Sequence, residues 1–356
     1  MINSVTFENF RGLRHLELPE LSQITLLTGR NNAGKSSVLE GIFLFMDHLA
    51  AESFGRINTL RGLQSTLQPS GLWEPAFYGL DTDAPLCIGM NLDDEECRLS
   101  YERDDSFIPL DNAGNIQNAF SQFAASTKST YTLKYCFRRG VYTEDGSFSI
   151  NATGLMRNNA TTSLPNNQLR YLPGTRFINP ATREDVNVAS WIGQMELKGE
   201  KQRIVDVLKS IEPEITDIVT ISNQGQIQIY VKVNNRLLPA RLAGDGLNRL
   251  LYIVLAILEN PDSILLIDEI DAGFHYSMQK ALWSVVAAAA KESHCQVIAT
   301  THSYECIQGA VDGIQEEGME GDFCLYRIEH NNGENRALRY DGELTRFAVD
   351  SNMEVR

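Results

Sequence analysis

Hydrophobic residues recur with two different spacings along this 356-residue chain, and the two spacings divide it into regions of strand and helix. Short apolar runs between turn residues predict strands, whereas apolar positions three to four residues apart predict helices. Near the N-terminus the pattern predicts two short strands over residues 2–18 that turn at Asn9–Gly12, followed by a buried strand at Ile24–Leu27. A helix is predicted from Ser37 to about Ala51.

Strand signals dominate the middle of the chain. Apolar or alternating runs between Asp, Asn and Gly turns predict four strands, at Cys87–Leu92, Cys97–Tyr101, Tyr131–Phe137 and Gly146–Ile150. The polar stretch 151–168 predicts an exposed loop. The pattern then predicts a strand at Leu169–Leu172, helical structure over Val188–Ile211, and a hairpin over Ile218–Leu238 that turns at Gln224–Gly225.

Helices and strands alternate in the last third of the chain, which is typical of α/β folds. The predicted elements are helices at Leu247–Glu259 and Tyr276–Lys291, strands at Ile264–Ile267 and Cys295–Thr300, and a hairpin over Phe323–Arg339. The Ile264 strand is apolar throughout, as parallel strands buried on both faces are. No internal repeat and no heptad run long enough for a coiled coil is present.

Composition narrows the class of protein. The formal net charge is −15 and the pI is near 4.9, which disfavours tight binding to a DNA backbone but leaves room for a local basic groove. Six cysteines are scattered without a C-x-x-C pair, which argues against a zinc site and fits reduced thiols. The N-terminus lacks the features of a signal peptide, and no apolar run approaches the ~20 residues that span a bilayer. We expect a cytoplasmic globular protein with no membrane partner.

The clearest chemical signal directly follows the Ile24–Leu27 strand. Residues Gly29–Ser36 match G-x-x-x-x-G-K-[ST], and the predicted helix begins at once. Glycines allow a nest of backbone N–H groups around a phosphate, and the helix N-terminus adds partial positive charge. Lys35 would reach the β- and γ-phosphates, and the Ser36 hydroxyl would hold Mg²⁺. The alternative is a chance glycine-rich turn, and the strand–loop–helix setting favours a site for ATP and Mg²⁺.

Two acidic residues end the apolar run of the Ile264 strand. Ligands bind at the carboxyl ends of such strands in α/β sheets. Asp268 is the candidate for the Mg²⁺ shell, and Glu269 for orienting and deprotonating an attacking water. The next strand is followed by His302, which could contact the γ-phosphate. For the acidic pair alone, the alternative is an ordinary acidic turn. For His302 alone, the alternative is a residue that caps the end of the strand.

A second candidate nest opens the helix that leads to the acidic strand. Its residues, Ala243-Gly244-Asp245-Gly246, include small residues at a helix N-terminus, which favours anion binding. The alternative is a glycine-rich helix cap. Along the chain this stretch is followed by a helix, the acidic strand, a second helix and the strand that precedes His302. This order favours anion binding over a simple helix cap.

Together these motifs resemble an ATP-binding-cassette-type (ABC-type) ATPase of the SMC/RecF/OLD branch, where OLD stands for overcoming lysogenization defect. Asn9-Phe10-Arg11 resembles the N-terminal motif of that branch, in which the Arg lies near the nucleotide. Asp268–His275 resembles its acidic motif and D-loop. The resemblance covers both ends, about half of the chain. It implies ATP binding by Arg11, Asn31, Asn32, Ala33, Gly34, Lys35, Ser36 and Ser37, with a metal site at Ser36 and Asp268. It also implies catalysis by Lys35, Glu269 and His302, and a D-loop with Asp271 and His275. Finally, it implies a signature at Ala243, Gly244, Asp245 and Gly246 that acts on the nucleotide of a second chain.

The resemblance also implies an architecture. It is an α/β P-loop NTPase fold, an ABC-ATPase head with an antiparallel β subdomain and a helical lobe. The expected parts of this single domain are an N-terminal lobe at 1–85, the β subdomain at 86–165, a helix and hairpin lobe at 166–240, and a lobe with the signature, acidic and histidine motifs at 241–356. Two heads would sandwich two ATP molecules in a homodimer or a higher oligomer. The candidates for the Q-loop glutamine are Gln168 and Gln194.

The sequence departs from two members of that branch. It has no coiled coil, unlike SMC proteins, and too little chain follows His302 for the Toprim nuclease domain of OLD nucleases. The acidic residues Glu316, Glu317, Glu320 and Asp322 are expected in a solvated loop. In these respects the chain resembles stand-alone ATPase subunits of bacterial antiphage systems, including the Septu and PARIS types, whose nuclease or toxin is a separate polypeptide.

Three hypotheses follow from the resemblance. The first is a defence ATPase that senses phage infection and controls a separately encoded effector. The second is a RecF-like DNA repair ATPase, which would bind DNA. The third is an ATP-held scaffold that sequesters a partner with little hydrolysis. Asp245 departs from the usual signature, which implies slow or partner-stimulated hydrolysis.

Overall fold

The computed structural model describes residues 1–63, 69–105, 131–151, 154–158, 160–163, 172–182, 185–223, 226–331 and 333–355. Its strands are β1 (Ile2–Phe10), β2 (Leu13–Leu18), β3 (Ile24–Thr28), β4 (Leu86–Leu92), β5 (Glu95–Asp104), β6 (Thr132–Arg139), β7 (Tyr142–Asn151), β8 (Gly154–Arg157), β9 (Thr161–Thr162), β10 (Thr175–Ile178), β11 (Ile215–Asn223), β12 (Gln226–Val233), β13 (Arg236–Pro239), β14 (Ile264–Ile267), β15 (Gln296–Thr300), β16 (Phe323–Asn331) and β17 (Glu334–Asp341). Its helices are α1 (Lys35–Met46), α2 (Ser53–Leu60), α3 (Pro69–Leu72), α4 (Asp185–Lys198), α5 (Lys201–Ile211), α6 (Ala240–Ala243), α7 (Asp245–Leu258), α8 (Gln279–Ser293), α9 (Tyr304–Glu316) and α10 (Gly342–Asp350).

The chain divides into two compact units. Unit 1 comprises Met1–Glu20, Asn32–Leu172 and Glu329–Ala337, and unit 2 comprises Leu21–Asn31, Pro173–Ile328 and Leu338–Arg356. The predicted four-part division of the chain stays a prediction. No helix in the described part of the chain is long and apolar enough to cross a membrane.

Unit 1 is built on an antiparallel sheet with the strand order β2-β1-β4-β5-β6-β7-β8, and β9 pairs with β7. Strand β1 buries Ile2, Val5, Phe7 and Phe10, and a register shift between Ile2 and Ser4 interrupts the two-residue alternation of its side chains. Helix α1 packs against this strand, and a side chain at Gly41 would collide with the rings of Phe7 and Phe10. The glycine therefore allows the close approach of helix and strand.

Aromatic residues fill the core of unit 1. The ring centroids of Phe54 and Tyr101 lie 4.9 Å apart, in an edge-to-face arrangement. The imidazole of His48 stacks on Phe137 with a centroid distance of 4.1 Å. Burial lowers the pKa of His48 to about 4, and the ring Nδ1 lies 2.9 Å from the carbonyl oxygen of Phe45.

Unit 2 is built on a sheet with the strand order β10-β14-β15-β3-β16. The pairs from β10 through β16 are parallel, so these strands deliver their carboxyl ends to the same edge. Every residue of β3, β14 and β15 is buried, which explains their continuous apolar sequences. Beside the sheet, Gly309 and Gly313 of α9 leave no room for a side chain against α8.

A smaller lobe of unit 2 combines helices with a second sheet. Strands β11, β12 and β13 form an antiparallel sheet in that order. Helix α5 is amphipathic, and its Ile204 and Leu208 are fully buried in the same hydrophobic cluster as Ile218 and Val231. The hairpin predicted over Ile218–Leu238 corresponds to β11 and β12, and β13 adds a third strand.

Several predicted boundaries are wrong. The first helix ends at Met46, not Ala51, and the helical stretch after Val188 is two helices separated by Gly199 at φ 75°. The predicted loop 151–168 contains β8 and β9, because polar residues there pair with β7. Residues 169–171 of one predicted strand and the turn at 224–225 lie outside the described residues.

The acidic stretch near the C-terminus is not the single loop that was predicted. Glu316 ends helix α9, and Glu320–Asp322 forms a short 3-10 turn. Glu316 pairs with Lys280 at 3.2 Å, and Glu317 accepts a hydrogen bond of 2.6 Å from Ser284. Helix α9 was not predicted because two of its seven buried positions are Gly309 and Gly313, which pack against α8 and weaken the apolar pattern.

Candidate functional site

The predicted phosphate loop connects the end of β3 to the start of α1. Gly29 has φ 133°, and a side chain there would collide with the carbonyl of Ile328. Gly34 has φ 107° and caps α1, where a side chain would collide with Leu13. Only glycine satisfies both the backbone conformation and the space at these two positions.

The remaining loop residues differ in exposure. Asn31 and Asn32 are exposed, whereas Ala33 is buried and its carbonyl accepts a hydrogen bond of 3.1 Å from Asn335. Lys35, the first residue of α1, is only 4% exposed, and Ser37 is likewise buried next to half-buried Ser36. A buried ammonium beside the N–H groups of a helix N-terminus suits an anionic ligand.

The acidic pair at the end of β14 is held by a threonine of the neighbouring strand. Thr300, the last residue of β15, donates a hydrogen bond of 2.7 Å from Oγ1 to Oδ1 of Asp268. The same oxygen accepts a hydrogen bond of 2.8 Å from the backbone N–H of Glu269. Glu269 is exposed and has φ 48°, a conformation that non-glycine residues seldom adopt. A single buried hydroxyl therefore holds the Asp268 carboxylate and the Glu269 backbone.

An arginine from α7 supports the same strand ends from their backbone side. Arg249 donates hydrogen bonds to the carbonyl oxygens of Asp268 at 2.9 Å, Glu269 at 2.8 Å and Asn179 at 3.0 Å. It thereby satisfies backbone acceptors that follow β14 and β10. Nothing in the spacing of the sequence marked Thr300 or Arg249 for these contacts.

The predicted D-loop folds as a series of turns. Asp271 accepts a hydrogen bond of 2.7 Å from the hydroxyl of Thr301, which fixes the turn to the end of β15. His275 is exposed at the end of the turns, with its Nδ1 2.9 Å from the Ser277 hydroxyl. His275 precedes α8 and its short 3-10 start.

The predicted signature spans the break between α6 and α7. Gly244 is exposed and has φ 129°, and α7 begins at the next residue. Gly246 packs on the D-loop, where an added Cβ would lie 2.7 Å from the carbonyl oxygen of Gly273. The signature and the D-loop of one chain are thus in backbone contact. The described structure does not extend to the side chains of Ala243 and Asp245.

The sheet brings several of the predicted residues to one edge. Strand order places β14, β15 and β3 side by side, so that Asp268, His302 and Gly29 all follow carboxyl ends at that edge of unit 2. His302 is exposed between β15 and α9. Gln194 lies exposed in the middle of α4, Gln168 lies outside the described residues, and both stay candidates for the Q-loop glutamine.

Arg11 lies in unit 1, in the turn between β1 and β2. Asn9 and Arg11 have φ 57° and φ 52°, and the Asn9 side chain donates a hydrogen bond of 2.8 Å to the carbonyl of Ala84. Arg11 is 8% exposed and its Nε lies 3.0 Å from Oε2 of Glu40, a residue of α1. Burial lowers the pKa of Arg11, and the Glu40 carboxylate opposes that shift.

The residues present fit a nucleotide with Mg²⁺. In the described part of the chain no group of three His, Cys, Asp or Glu side chains could hold a metal ion by itself. Ser36 in unit 1 and Asp268 in unit 2 stay the predicted metal contacts, and a hydroxyl and a carboxylate are ligand types that suit Mg²⁺ when phosphate oxygens and water complete its shell. None of the six cysteines, all of which lie in the described part of the chain, forms a disulfide.

Solved structures of SMC heads share this fold. A head bound to the C-winged helix domain of ScpA aligns with a TM-score of 0.52 and 13% identity, over 96% of this chain and 98% of that one. A head with an extended coiled coil, bound to the C-terminal domain of ScpA from Pyrococcus furiosus, aligns with a TM-score of 0.53 and 10% identity over 99% of both chains. The predicted fold, an α/β P-loop NTPase of the ABC-ATPase head type with an antiparallel sheet, is confirmed.

Sequence relatives span different parts of the chain. An "ATP/GTP phosphatase" of Helicobacter pylori is 23% identical over 378 residues, which cover 98% of this chain and 100% of that protein. An uncharacterized protein of Methanocaldococcus jannaschii is 48% identical over 54 residues, 15% of this chain and 24% of its own length.

Two family models match the chain in succession. Residues 1–131 match a model described as "AAA ATPase domain". Residues 124–307, about half of the chain, match a model described as "AAA domain, putative AbiEii toxin, Type IV TA system". The second match includes the signature, the acidic strand end and His302. The chain therefore belongs to the AAA-domain family that carries this second description.

Proposed function

We propose that this protein binds ATP with Mg²⁺ and hydrolyses it to ADP and phosphate. The observation that carries the proposal is the hydrogen-bonded unit of Thr300, Asp268 and Glu269 at the carboxyl end of a parallel sheet. The strand that leads into the phosphate loop pairs with the strand that ends in Thr300. The AAA-domain family and the phosphatase name of the Helicobacter pylori relative support the same activity.

Each residue has a distinct role in this proposal. The positive charge of Lys35 offsets negative charge on the phosphates. Because Gly34 has no side chain, the phosphates can approach the backbone N–H groups of the loop. Bound Mg²⁺ would screen negative charge on the phosphates, with Ser36 and Asp268 as its protein contacts. Glu269 orients water and accepts its proton, and His302 contacts the terminal phosphate. Thr300 keeps the Asp268 carboxylate and the Glu269 backbone in one arrangement.

The test is phosphate release by the purified protein with ATP and Mg²⁺. Glu269→Gln should bind ATP and lose turnover by roughly a hundredfold or more, because the amide cannot accept the proton. Glu316→Gln is the matched control, since Glu316 is a 55% exposed acid of the same unit and should leave turnover unchanged. Equal turnover in wild type and Glu269→Gln would contradict the role of Glu269. A wild type that releases no phosphate would contradict hydrolysis itself.

We further propose that the signature acts on the nucleotide of a second chain. Gly244 is exposed, and the side chain of Leu242 beside it is 78% exposed, so a second chain would have access to both. Leu242→Arg should bind ATP but not dimerise, and mixing it with Lys35→Ala should restore at most one composite site per dimer. Leu242→Arg chains that hydrolyse ATP at the wild-type rate as dilute monomers would contradict a shared site.

The biological setting we propose is control of a separately encoded effector during phage infection. The family description, which names a toxin and a type IV toxin–antitoxin system, supports an assembly of more than one polypeptide. Control by nucleotide requires that the effector bind the ATP-bound and ATP-free forms with different affinity. Co-purification with the product of the adjacent gene, with and without ATP, tests this. Turnover stimulated by DNA would favour a repair ATPase instead, and ATP binding without turnover would favour a scaffold.

A further inference from the structure

A side chain of β17 contacts the predicted phosphate loop. Asn335 is the second residue of this strand, and its Nδ2 donates a hydrogen bond of 3.1 Å to the carbonyl oxygen of Ala33. Both residues belong to unit 1, although 302 positions separate them along the chain. Ala33 is 2% exposed and Asn335 is half-buried, so the bond is partly shielded from water.

The chemistry of the contact fixes which end of the amide faces the loop. Oδ1 of Asn335 is buried and has no hydrogen-bond partner in the described part of the chain. If the amide turned by half a rotation, Oδ1 would face the carbonyl oxygen of Ala33, and two acceptors would repel each other. Asn335 therefore presents a donor to Ala33.

The carbonyl of Ala33 and the N–H of Gly34 belong to the same peptide group. Because this group is planar and trans, its carbonyl and its N–H point in opposite directions. A carbonyl held toward Asn335 therefore turns the Gly34 N–H away from that side chain. In loops of this sequence pattern the backbone N–H groups are the donors that surround the phosphates.

The orientation of this peptide group needs outside support, because Gly34 resists rotation so little. Gly34 has φ 107°, and glycine adopts positive and negative φ about equally readily. Leu13 packs against Gly34, where an added Cβ would collide with its Cδ2. An apolar side chain cannot distinguish a carbonyl from an N–H. The same added Cβ would lie 3.6 Å from Nδ2 of Asn335, which is the polar neighbour that can make the distinction.

We propose that Asn335 is a positioning residue for the nucleotide. By holding the Ala33 carbonyl, it keeps the Gly34 N–H directed at an oxygen of the β-phosphate of bound ATP. The inference rests on the proposed function, since it assumes that ATP binds at the phosphate loop. Asn335 acts only through the Ala33–Gly34 peptide group. With this group reversed, the Ala33 carbonyl would face the phosphate and repel it.

The first measurement is the dissociation constants of Mg²⁺–ATP and Mg²⁺–ADP by equilibrium dialysis. Asn335→Leu keeps the approximate size and branching of the side chain and removes the donor. It should raise both constants about tenfold, because both nucleotides carry the β-phosphate. Asn335→Asp should raise them further, since a carboxylate cannot donate and also repels the phosphates.

The second measurement is the ³¹P NMR spectrum of Mg²⁺–ADP bound to protein at saturation, where a lower affinity no longer matters. In the complex with Asn335→Leu, the β-phosphate resonance should shift from its wild-type position, because its hydrogen bonding has changed. The α-phosphate resonance should shift less. A purely structural role of Asn335 would not single out the β-phosphate.

Asn58→Leu is the matched control in the same unit. Asn58 is a fully buried residue of α2, and its Nδ2 donates a hydrogen bond of 3.0 Å to the carbonyl of Leu72, outside the phosphate loop. Its Oδ1 likewise has no partner in the described part of the chain. This variant should melt at a lower temperature than wild type. It should keep both dissociation constants within about twofold and both ³¹P resonances unchanged.

Wild-type affinity in folded Asn335→Leu would overturn the role of Asn335, and so would a β-phosphate resonance at its wild-type position. Equal losses of affinity in Asn335→Leu and Asn58→Leu would also overturn it, because the loss would then follow stability. If Asn335→Leu does not fold, wild-type affinity in Asn335→Asp overturns the role and a loss of tenfold or more supports it. A wild type that binds neither nucleotide would overturn the proposed function, and this inference with it.

Discussion

The hydroxyl of Thr300 donates a hydrogen bond of 2.7 Å to the Asp268 carboxylate across two neighbouring parallel strands. Thr300 is 1% exposed, so the bond is shielded from water and the hydroxyl has few alternative partners. Its second contact, to the backbone N–H of Glu269, ties the following residue to the same atom. The positions of Asp268 and Glu269 therefore depend on the neighbouring strand β15 as well as on their own strand, β14.

Thr300→Val should uncouple the acidic pair while preserving the size of the buried side chain. We expect phosphate release to fall about tenfold or more and ATP affinity to stay near that of wild type, because the phosphate loop is unchanged. Lost hydrogen bonds should also lower the free energy of unfolding by about 1–3 kcal/mol. Steady-state turnover and nucleotide titration measure the two quantities separately.

Thr25→Val is the control for this prediction. Thr25 is a fully buried threonine of β3 in the same sheet, with its hydroxyl bonded to the carbonyl of Ser22 rather than to an acidic residue. It should show the stability loss without the loss of turnover. If Thr300→Val and Thr25→Val turn over ATP equally well, Thr300 has no part in positioning the acidic pair.

Lys35→Ala should abolish most of the affinity for ATP. The ammonium is buried at the start of α1, where no other lysine of the loop can replace its charge. We expect the dissociation constant to rise at least tenfold, or about 1.4 kcal/mol. Lys280→Ala, at a 56% exposed position, is the control and should bind as wild type does. Titration of Lys35→Ala with wild-type affinity would remove the basis for a phosphate loop here.

Much of the site could be predicted from local sequence. The phosphate loop depends on glycines at fixed spacing, and the acidic pair follows an apolar run, so both appear in short windows. The contacts of Thr300 and Arg249 could not be predicted, because they join residues 32 and 19 positions away from Asp268. Glu40 lies inside an otherwise apolar helical stretch, and only the fold reveals the two arginines that pair with it.

The errors in the predicted strands and helices also arise from features that short stretches of sequence do not reveal. Strands β8 and β9 are short and polar, and they form because β7 offers backbone partners. The break between α4 and α5 depends on Gly199 at φ 75°, a conformation that a periodic apolar pattern does not reveal. The buried strands β3, β14 and β15 were predicted well because each is a run of consecutive buried residues.

Gly246→Ala should destabilise the contact between the signature and the D-loop. The new methyl group would lie 2.7 Å from the carbonyl oxygen of Gly273, which is closer than such atoms approach in folded proteins. We expect a loss of about 1–3 kcal/mol in the free energy of unfolding, together with reduced phosphate release. Urea unfolding and turnover give the two values.

Gly193→Ala is the control for Gly246→Ala, and it should raise the free energy of unfolding rather than lower it. Gly193 lies inside α4, and an added Cβ there meets nothing within 4 Å. Alanine should stabilise this helix by about 0.5–1 kcal/mol and leave turnover unchanged. Equal stability of the two variants would show that the close approach of Gly246 and Gly273 does not constrain the fold.

The stability of the protein should fall as the pH is lowered from about 6.5 to 4, in part because of His48. Burial lowers the pKa of its imidazole from 6.5 to about 4 in the folded protein, so between these values the unfolded chain binds more protons. The contribution of His48 is fully present above pH 6.5 and declines by at most ~1.4 kcal/mol per pH unit.

His48→Gln, which carries no titrating group, should show a shallower decline in the free energy of unfolding, measured with urea at pH 7 and pH 5. A His48→Gln variant that loses stability as steeply as wild type would show that the buried imidazole is not a source of the pH dependence.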